Sequence, residues 1–490
     1  MGAERCTRIR SRLLQADSIR RTGSVVQSIG IVIESEGPPA RVGELCEVSA
    51  GEGHRVLAEV VGFRDRRLLM MPLGETRQIG SGSQVVATGR PMTVSVSEQV
   101  LGRVFDGLGR PMDGGPEPPP EGCLPVDASP PPAMQRQRIT EPIALGVRVL
   151  DAVLTCGRGQ RVGIFAGSGV GKSTLLGMIA RNTAADVSVI ALVGERGREV
   201  RDFVEGNLGP EGLKRSVVIA STSDQPPLVR LRAAQVATTI AEFFRDRGHN
   251  VLLMMDSITR VAWAQREVGL AAGEPPTRNG YTPSVFAMLP KLLERTGMAE
   301  RGSITALYTI LVEGDDMTEP VADAARSILD GHIVLSRNLA HQGHYPAVDV
   351  LESVSRLMPE LVTDEHARKA RRLCEAVAVY REHEDLINLG AYVSGSNADV
   401  DRAIALRPQI EAFLRQDAGE RVGWDEALAQ LSRTIELPRE PSAPPEDRGE
   451  RAAALRRRLP RAISSFHTTA GLGPSAPGEG NLPATNRDPR

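Results

Sequence analysis

The chain has 490 residues, 41% hydrophobic and 24% charged, with a formal net charge of −2. This length allows two to four domains, and the near-neutral balance supplies no global field to draw the protein to nucleic acid or to a membrane surface. Five cysteines (Cys6, Cys46, Cys123, Cys156 and Cys374) lack CxxC or metal-ligand spacing, which argues against a disulfide framework or a zinc site. No apolar run is long enough to span a bilayer, and the arginine-rich start lacks the apolar centre of a signal peptide. The expected location is the cytoplasm, with any membrane contact at the surface.

Residues 1–24 carry Arg5, Arg8, Arg10, Arg12, Arg20 and Arg21 against Glu4 and Asp17, with Ile9, Leu13 and Ile19 at helical spacing. They read either as a frayed terminus or as a helix that docks on a partner or on acidic lipid. From 25 to 95 the runs VVQSIGIVIES, ELCEVSA, RVLAEVVGF, LLMMPL and SQVVATG, parted by turn residues, predict a small β-barrel. Single-strand binders need aromatic platforms, and Phe63 is the one aromatic this segment offers. No nucleic-acid partner is therefore expected, and the barrel reads as a contact between subunits. Residues 96–137 end in the proline-rich EPPPEGCLPVDASPPPAM, expected to cross the surface as a semi-rigid connector.

From 138 to 359 apolar strand-like runs (GIFA, VSVIALV, VVIAS, VLLMM, ITALYTILV) alternate with helical stretches, which predicts a mostly parallel sheet covered on both faces. Ligands of such sheets bind at the strand carboxyl ends. There the sequence places Gly167, Ser168, Gly169, Val170 and Gly171, then Lys172, Ser173 and Thr174 opening a helix. Glycines let backbone N–H groups form a nest, and the helix N-terminus adds partial positive charge. Lys172 would reach the β- and γ-phosphates of a nucleoside triphosphate and Ser173 would hold Mg²⁺. Ala166 departs from the strict pattern, which begins with glycine; a Gly-rich turn is the bland alternative, and the spacing does not fit a dinucleotide fingerprint. Two carboxylates follow apolar strands. Asp256 is positioned to order a Mg²⁺ shell. Glu195 is either a group that polarises the attacking water or a surface ion-pair partner of a nearby arginine. Residues 360–438 read as a helical domain, and 439–490, poor in apolar residues, as a disordered tail.

The strings GSGVGKS, GERGREV, LLMMDSITR, GEPPTRNGYTPSVF, YTILVEGDDMTEPVADAARSILDGHIVLSR and YPAVDVLESVSR resemble the rotary-type hexameric ATPases. More narrowly they resemble the flagellar export and type III secretion ATPases, over about residues 25–435. The resemblance implies a β-barrel, a RecA-like P-loop domain and a C-terminal helical domain, a homohexamer, and hydrolysis of ATP with Mg²⁺. It assigns Lys172 and Ser173 to the phosphate loop, Glu195 to water activation with Arg196 beside it, and Asp256 to the Walker B position. Tyr345 would stack near the adenine ring, and Arg356 would act as an arginine finger in a neighbouring subunit. Implied partners are a stator-like regulator, a coiled-coil stalk, the membrane export gate, and complexes of substrates with chaperones, at the inner face of the cytoplasmic membrane. RGSITALYT and the run from Glu141 to Leu176 favour the flagellar branch. The alternatives are an injectisome ATPase, the catalytic subunit of a rotary proton-translocating synthase, a hexameric RNA translocase, or a nucleotide-binding subunit without catalysis. Thr282, where proline is commoner, and the polar tail depart from the family pattern.

Overall fold

The computed structural model describes residues 21–436 except 52, 313 and 315. Most of the basic start and the whole tail beyond 438 therefore lie outside the described residues. Six antiparallel strands close a barrel in the order β1-β2-β5-β4-β3-β6: β1 Thr22–Ile29, β2 Val32–Glu36, β3 Glu44–Ser49, β4 Arg55–Arg64, β5 Arg67–Pro72 and β6 Gln84–Pro91. The run VVQSIGIVIES folds as two strands turned at Gly30, so five apolar segments become six strands. Ile33, Val48, Val60, Met70 and Val85 fill the interior, and Phe63 lies on the outside. A buried ion pair of Glu59 on β4 with Arg232 fastens the barrel to helix Pro227–Asp246 of the next domain.

The segment 96–137 does more than connect. β9 (Gly122–Pro125) pairs with β7 (Thr93–Val96), while β8 (Val104–Asp106) joins the central sheet as an edge strand parallel to β12 (Ser216–Thr222). A three-residue strand is too short to display alternation, which hides it in the sequence. The prolines at 116 and 118–120 stay outside helix and strand, as their missing N–H groups require.

The remaining central strands are β10 Arg161–Ala166, β11 Val187–Glu195, β13 Asn250–Asp256, β14 Gly297–Met298, β15 Ser303–Leu311, β16 Gly331–Leu335 and β17 Val348–Ser355. They run β17-β16-β10-β15-β13-β11-β12-β8, parallel throughout except for β17 on β16 and the short β14 on β15. Strand residues sort by parity into two cores. Val189, Ala191, Leu253 and Met255 pack on one face, and Ile190, Leu192, Leu252 and Met254 on the other. Burial on both faces explains why these strands read as unbroken apolar runs. Three further helices, Asp364–Asn388, Ala398–Leu414 and Trp424–Thr434, form the C-terminal layer. Thr363 and Asn397 cap the first two by accepting backbone N–H bonds.

Among the described residues no helix is long and apolar enough to cross a membrane.

Candidate functional site

β10 ends at Ala166, the loop 167–171 turns over the sheet, and helix Lys172–Asn182 begins directly behind it. Gly169 and Gly171 have φ of 79° and 87°, a conformation that suits glycine and aims successive amides into one concavity. Val170 is buried and anchors the loop, whereas Ser168, Ser173 and Thr174 are exposed.

Four neighbouring strands, β10, β15, β13 and β11, bring the charged groups together beneath this loop. β10 is separated from β13 only by β15, and β13 pairs with β11, so the ends of these strands converge. Asp256 closes β13 and is buried. Its Oδ1 accepts from Lys172 Nζ at 2.5 Å and from Thr309 Oγ1 at 2.7 Å, while Oδ2 has no hydrogen bond among the described residues. Glu195 closes β11 and is 8% exposed. Its Oε1 is buried without a hydrogen-bond partner, with Lys172 Nζ 3.7 Å away. Burial, the neighbouring Glu199 carboxyl and the charge of Asp256 push Glu195 up to about 7, against the pull of Lys172 and Arg260.

Arg260 is a site residue that the motif reading did not single out. It stands in the first turn of helix Ile258–Ala272, one turn after Asp256, with Nη1 3.0 Å from Glu195 Oε2 and donating to the Gly194 carbonyl. Gly194 has φ of 72°, and a Cβ there would lie 2.8 Å from Arg260 Cδ, so glycine is needed for the arginine to fold back. The string LLMMDSITR carried the signal: a basic residue spaced one helical turn beyond a strand-end carboxylate. Arg196 goes elsewhere. It precedes helix Gly197–Asp202 with its side chain 82% exposed, 3.7 Å from Glu199, and makes no ion pair with Glu195.

The two remaining residues are separated by the direction of β17. Because this strand is antiparallel, Val348 pairs with Leu335 at the loop end of the sheet and Ser355 pairs with Gly331 at the opposite end. Leu335 is level with Ala166, and Gly331 with Val162. Tyr345, just before β17, therefore lies beside the phosphate loop, and a Cβ on Gly171 would be 3.2 Å from its ring. Arg356, just after β17, lies at the foot of β10, its amide donating to the Asp330 carbonyl and its Nη2 to the Arg326 carbonyl at 3.2 Å. The length of β10, about 20 Å, stands between Arg356 and the loop of its own chain.

A cavity of about 680 Å³ opens beside the loop, between Tyr345 and the segment 412–420 that follows helix Ala398–Leu414. Gln416 holds this wall in place. Its amide donates to the Tyr345 carbonyl at 2.9 Å, its Oε1 accepts from Arg148 N at 2.7 Å, and its Nε2 donates to the Gly146 carbonyl at 3.1 Å. The arrangement is a phosphate cradle with a lysine, two strand-end carboxylates and an adjoining slot of the size and lining suited to a nucleoside.

Comparison with known proteins agrees along the chain. The nucleotide-binding domain of the ATP synthase alpha/beta family matches residues 146–355, the beta-barrel domain of that family 25–89, and the T3SS EscN ATPase C-terminal domain 362–433. The flagellum-specific ATP synthase of Bacillus subtilis is 56% identical over 85% of this chain and 95% of its own length. The chain belongs to the flagellar and type III secretion ATPase family. The type 3 secretion system ATPase of Xanthomonas euvesicatoria, another member, is 50% identical over 84% of this chain and 94% of its own. The assembled ATPase EscN of enteropathogenic E. coli, solved with its central stalk EscO, superposes with a TM-score of 0.79 at 44% identity, covering 84% of this chain and all of that one. The barrel, the parallel sheet and the helical C-terminal layer are the architecture expected of this family.

Proposed function

We propose that this protein is the ATP-hydrolysing motor subunit of a flagellar protein export apparatus, working as a homohexamer to deliver or unfold export substrates. The observation that carries the reading is the pair of buried ion pairs behind the phosphate loop, Lys172 with Asp256 and Glu195 with Arg260. ATP binding replaces Asp256 as the partner of Lys172 Nζ, and the loop amides 167–173 take the phosphate oxygens. Glu195, with Oε1 free of hydrogen bonds, holds the attacking water and accepts its proton as the water oxygen bonds to the γ-phosphorus and the bond to ADP breaks. Arg260 orients the carboxylate through Oε2. Arg196, on the exposed rim next to Glu195, is available to the phosphate from outside.

The donor set fits Mg²⁺. The Ser173 hydroxyl and the open Oδ2 of Asp256 are hard oxygen groups, few in number, as an ion that keeps most of its water requires. When bound with ATP, Mg²⁺ would neutralise charge on the β- and γ-phosphates.

The position of Arg356 supports shared sites. Exposed at the opposite end of the sheet, it serves as the arginine finger of a neighbouring subunit, and identical subunits in a ring can then complete every site. The Bacillus flagellar relative, at 56% identity against 50% for the Xanthomonas secretion ATPase, supports the flagellar over the injectisome branch. The assembly of EscN with its central stalk EscO supports a stalk partner, which family resemblance gives as a coiled coil. A stator-like regulator, the export gate and chaperone–substrate complexes at the inner membrane surface complete the proposal on family grounds. Lys172→Ala tests the reading: it removes the main charge on the phosphates, so ATP binding and phosphate release should both collapse. Wild-type turnover in that variant would sink it.

A further inference from the structure

The cavity beside the phosphate loop has two walls, and Tyr345 is the single aromatic among its described lining residues. We propose that Arg415 is a nucleobase-contacting residue, its guanidinium covering the face of the purine opposite Tyr345. The inference rests on the nucleotide reading above and adds a determinant of base binding to it. Arg415 lies on the 412–420 wall, facing the cavity that Tyr345 lines from the other side. Two consecutive rungs join the walls: Arg415 Nε donates to His344 Nδ1 at 3.4 Å, and the Gln416 amide donates to the Tyr345 carbonyl at 2.9 Å. The pairs 344–415 and 345–416 thus fix the separation of the two side chains across the gap.

His344 is 5% exposed, and because an arginine Nε can only donate, Nδ1 is the acceptor in this contact; burial, then the charge of Arg415, hold the ring's pKa below the ordinary value. The bond uses the one Nε hydrogen of Arg415 and leaves both Nη groups without a hydrogen bond or ion pair among the described residues. The other cation on this cavity, Arg148, is committed. Its Nη groups donate to Gln430 Oε1 and to the Arg415 carbonyl and reach Glu420. Gln416 is equally occupied, its backbone N–H by Tyr345 and its side chain by Arg148, Gly146 and Glu420. Arg415 is therefore the planar group of this wall with capacity to spare, and guanidinium planes stack on aromatic faces. A stacked arginine grips any purine, so affinity for the base comes with little discrimination between adenine and guanine.

The test uses steady-state Mg-ATP hydrolysis by the full chain, with inorganic tripolyphosphate as a base-free competitor. Arg415→Ala should raise KM for ATP and for GTP about tenfold, as loss of one stacking partner implies, with kcat within about twofold of wild type. The inhibition constant of tripolyphosphate should not change, which also reports an intact phosphate cradle. Arg415→Lys, which keeps the charge and loses the plane, should resemble Arg415→Ala. A wild-type KM in Arg415→Ala would overturn the assignment, as would equal weakening of ATP and tripolyphosphate, or full recovery in Arg415→Lys. Any of these with an active wild-type enzyme leaves the ATPase reading standing. A wild-type chain that neither binds nor hydrolyses ATP overturns both.

Discussion

The two ends of the central sheet treat charge in opposite ways. At the carboxyl ends of β10, β11 and β13, the two inward-facing cations are paired with buried carboxylates of the same chain, Lys172 with Asp256 and Arg260 with Glu195. At the foot of β10, the Arg356 side chain makes one bond to a backbone carbonyl and is otherwise exposed. Buried charges must be paired where they stand, since an isolated ion in a low-dielectric interior is costly. An exposed arginine is under no such demand and remains available to another surface. In the proposed ring, the loop end would hold the hydrolytic groups and take its transition-state arginine from the far end of a neighbouring subunit, because Arg356 lies at the opposite end of the sheet from the loop of its own chain.

Breaking each end separately should give distinct losses. Arg356→Ala should cost the most, about 10³–10⁵ in kcat, the range expected for an arginine finger, while Mg-ATP affinity in the isolated subunit stays near wild type. Single-turnover hydrolysis with a separate binding titration checks this; a small loss of kcat would leave the far end without a catalytic role. Glu195→Gln keeps the shape and removes the base, so turnover should fall about 10²–10⁴-fold with nucleotide binding retained. Surviving turnover would put the water-activating carboxylate elsewhere.

A smaller effect sharpens the loop end. Glu195 must be ionised to accept a proton, and its pKa is raised to about 7, so hydrolysis should fall as pH drops from 8 to 6. Arg260 favours the ionised form; its removal in Arg260→Ala should raise the pKa further and move the acid limb of the profile to higher pH. An acid limb that stays in place would show that Arg260 does not act through Glu195.

Much of the loop end is legible in the sequence, and much of the far end is not, for the same physical reason. Glu195 and Asp256 end apolar strands, and the glycine loop that leads into Lys172 follows another, so the strand pattern delivers them to one edge of the sheet. Neighbours in sequence are a poorer guide at a helix start. Arg196 follows Glu195 yet turns to solvent because the chain leaves the strand there, while Arg260 returns to the site from a helix. Without the family resemblance Tyr345 and Arg356 read as a packing residue and a surface charge, because the antiparallel sense of β17 that puts them at opposite ends is invisible in its apolar pattern. The wall at 412–420 is harder still. Arg415 and Gln416 carry no motif, and their contacts to residues 344, 345 and 148 arise from tertiary packing. Edge strand β8 is three residues long and shows no period to read.

The central claim is that one subunit's Arg356 completes the site of the next, and mixing the two broken proteins tests it most directly. Arg356→Ala keeps a sound pocket and offers no finger; Glu195→Gln offers a sound finger and has no base. In rings assembled at random from equal amounts, about a quarter of the interfaces pair an intact pocket with an intact finger, because the two donors are drawn independently. ATPase activity should rise to about a quarter of the wild-type level if interfaces act independently, and fall again on dilution to monomer. A mixture that stays at the level of either variant alone, with mixed rings verified by native mass spectrometry, would contradict the account.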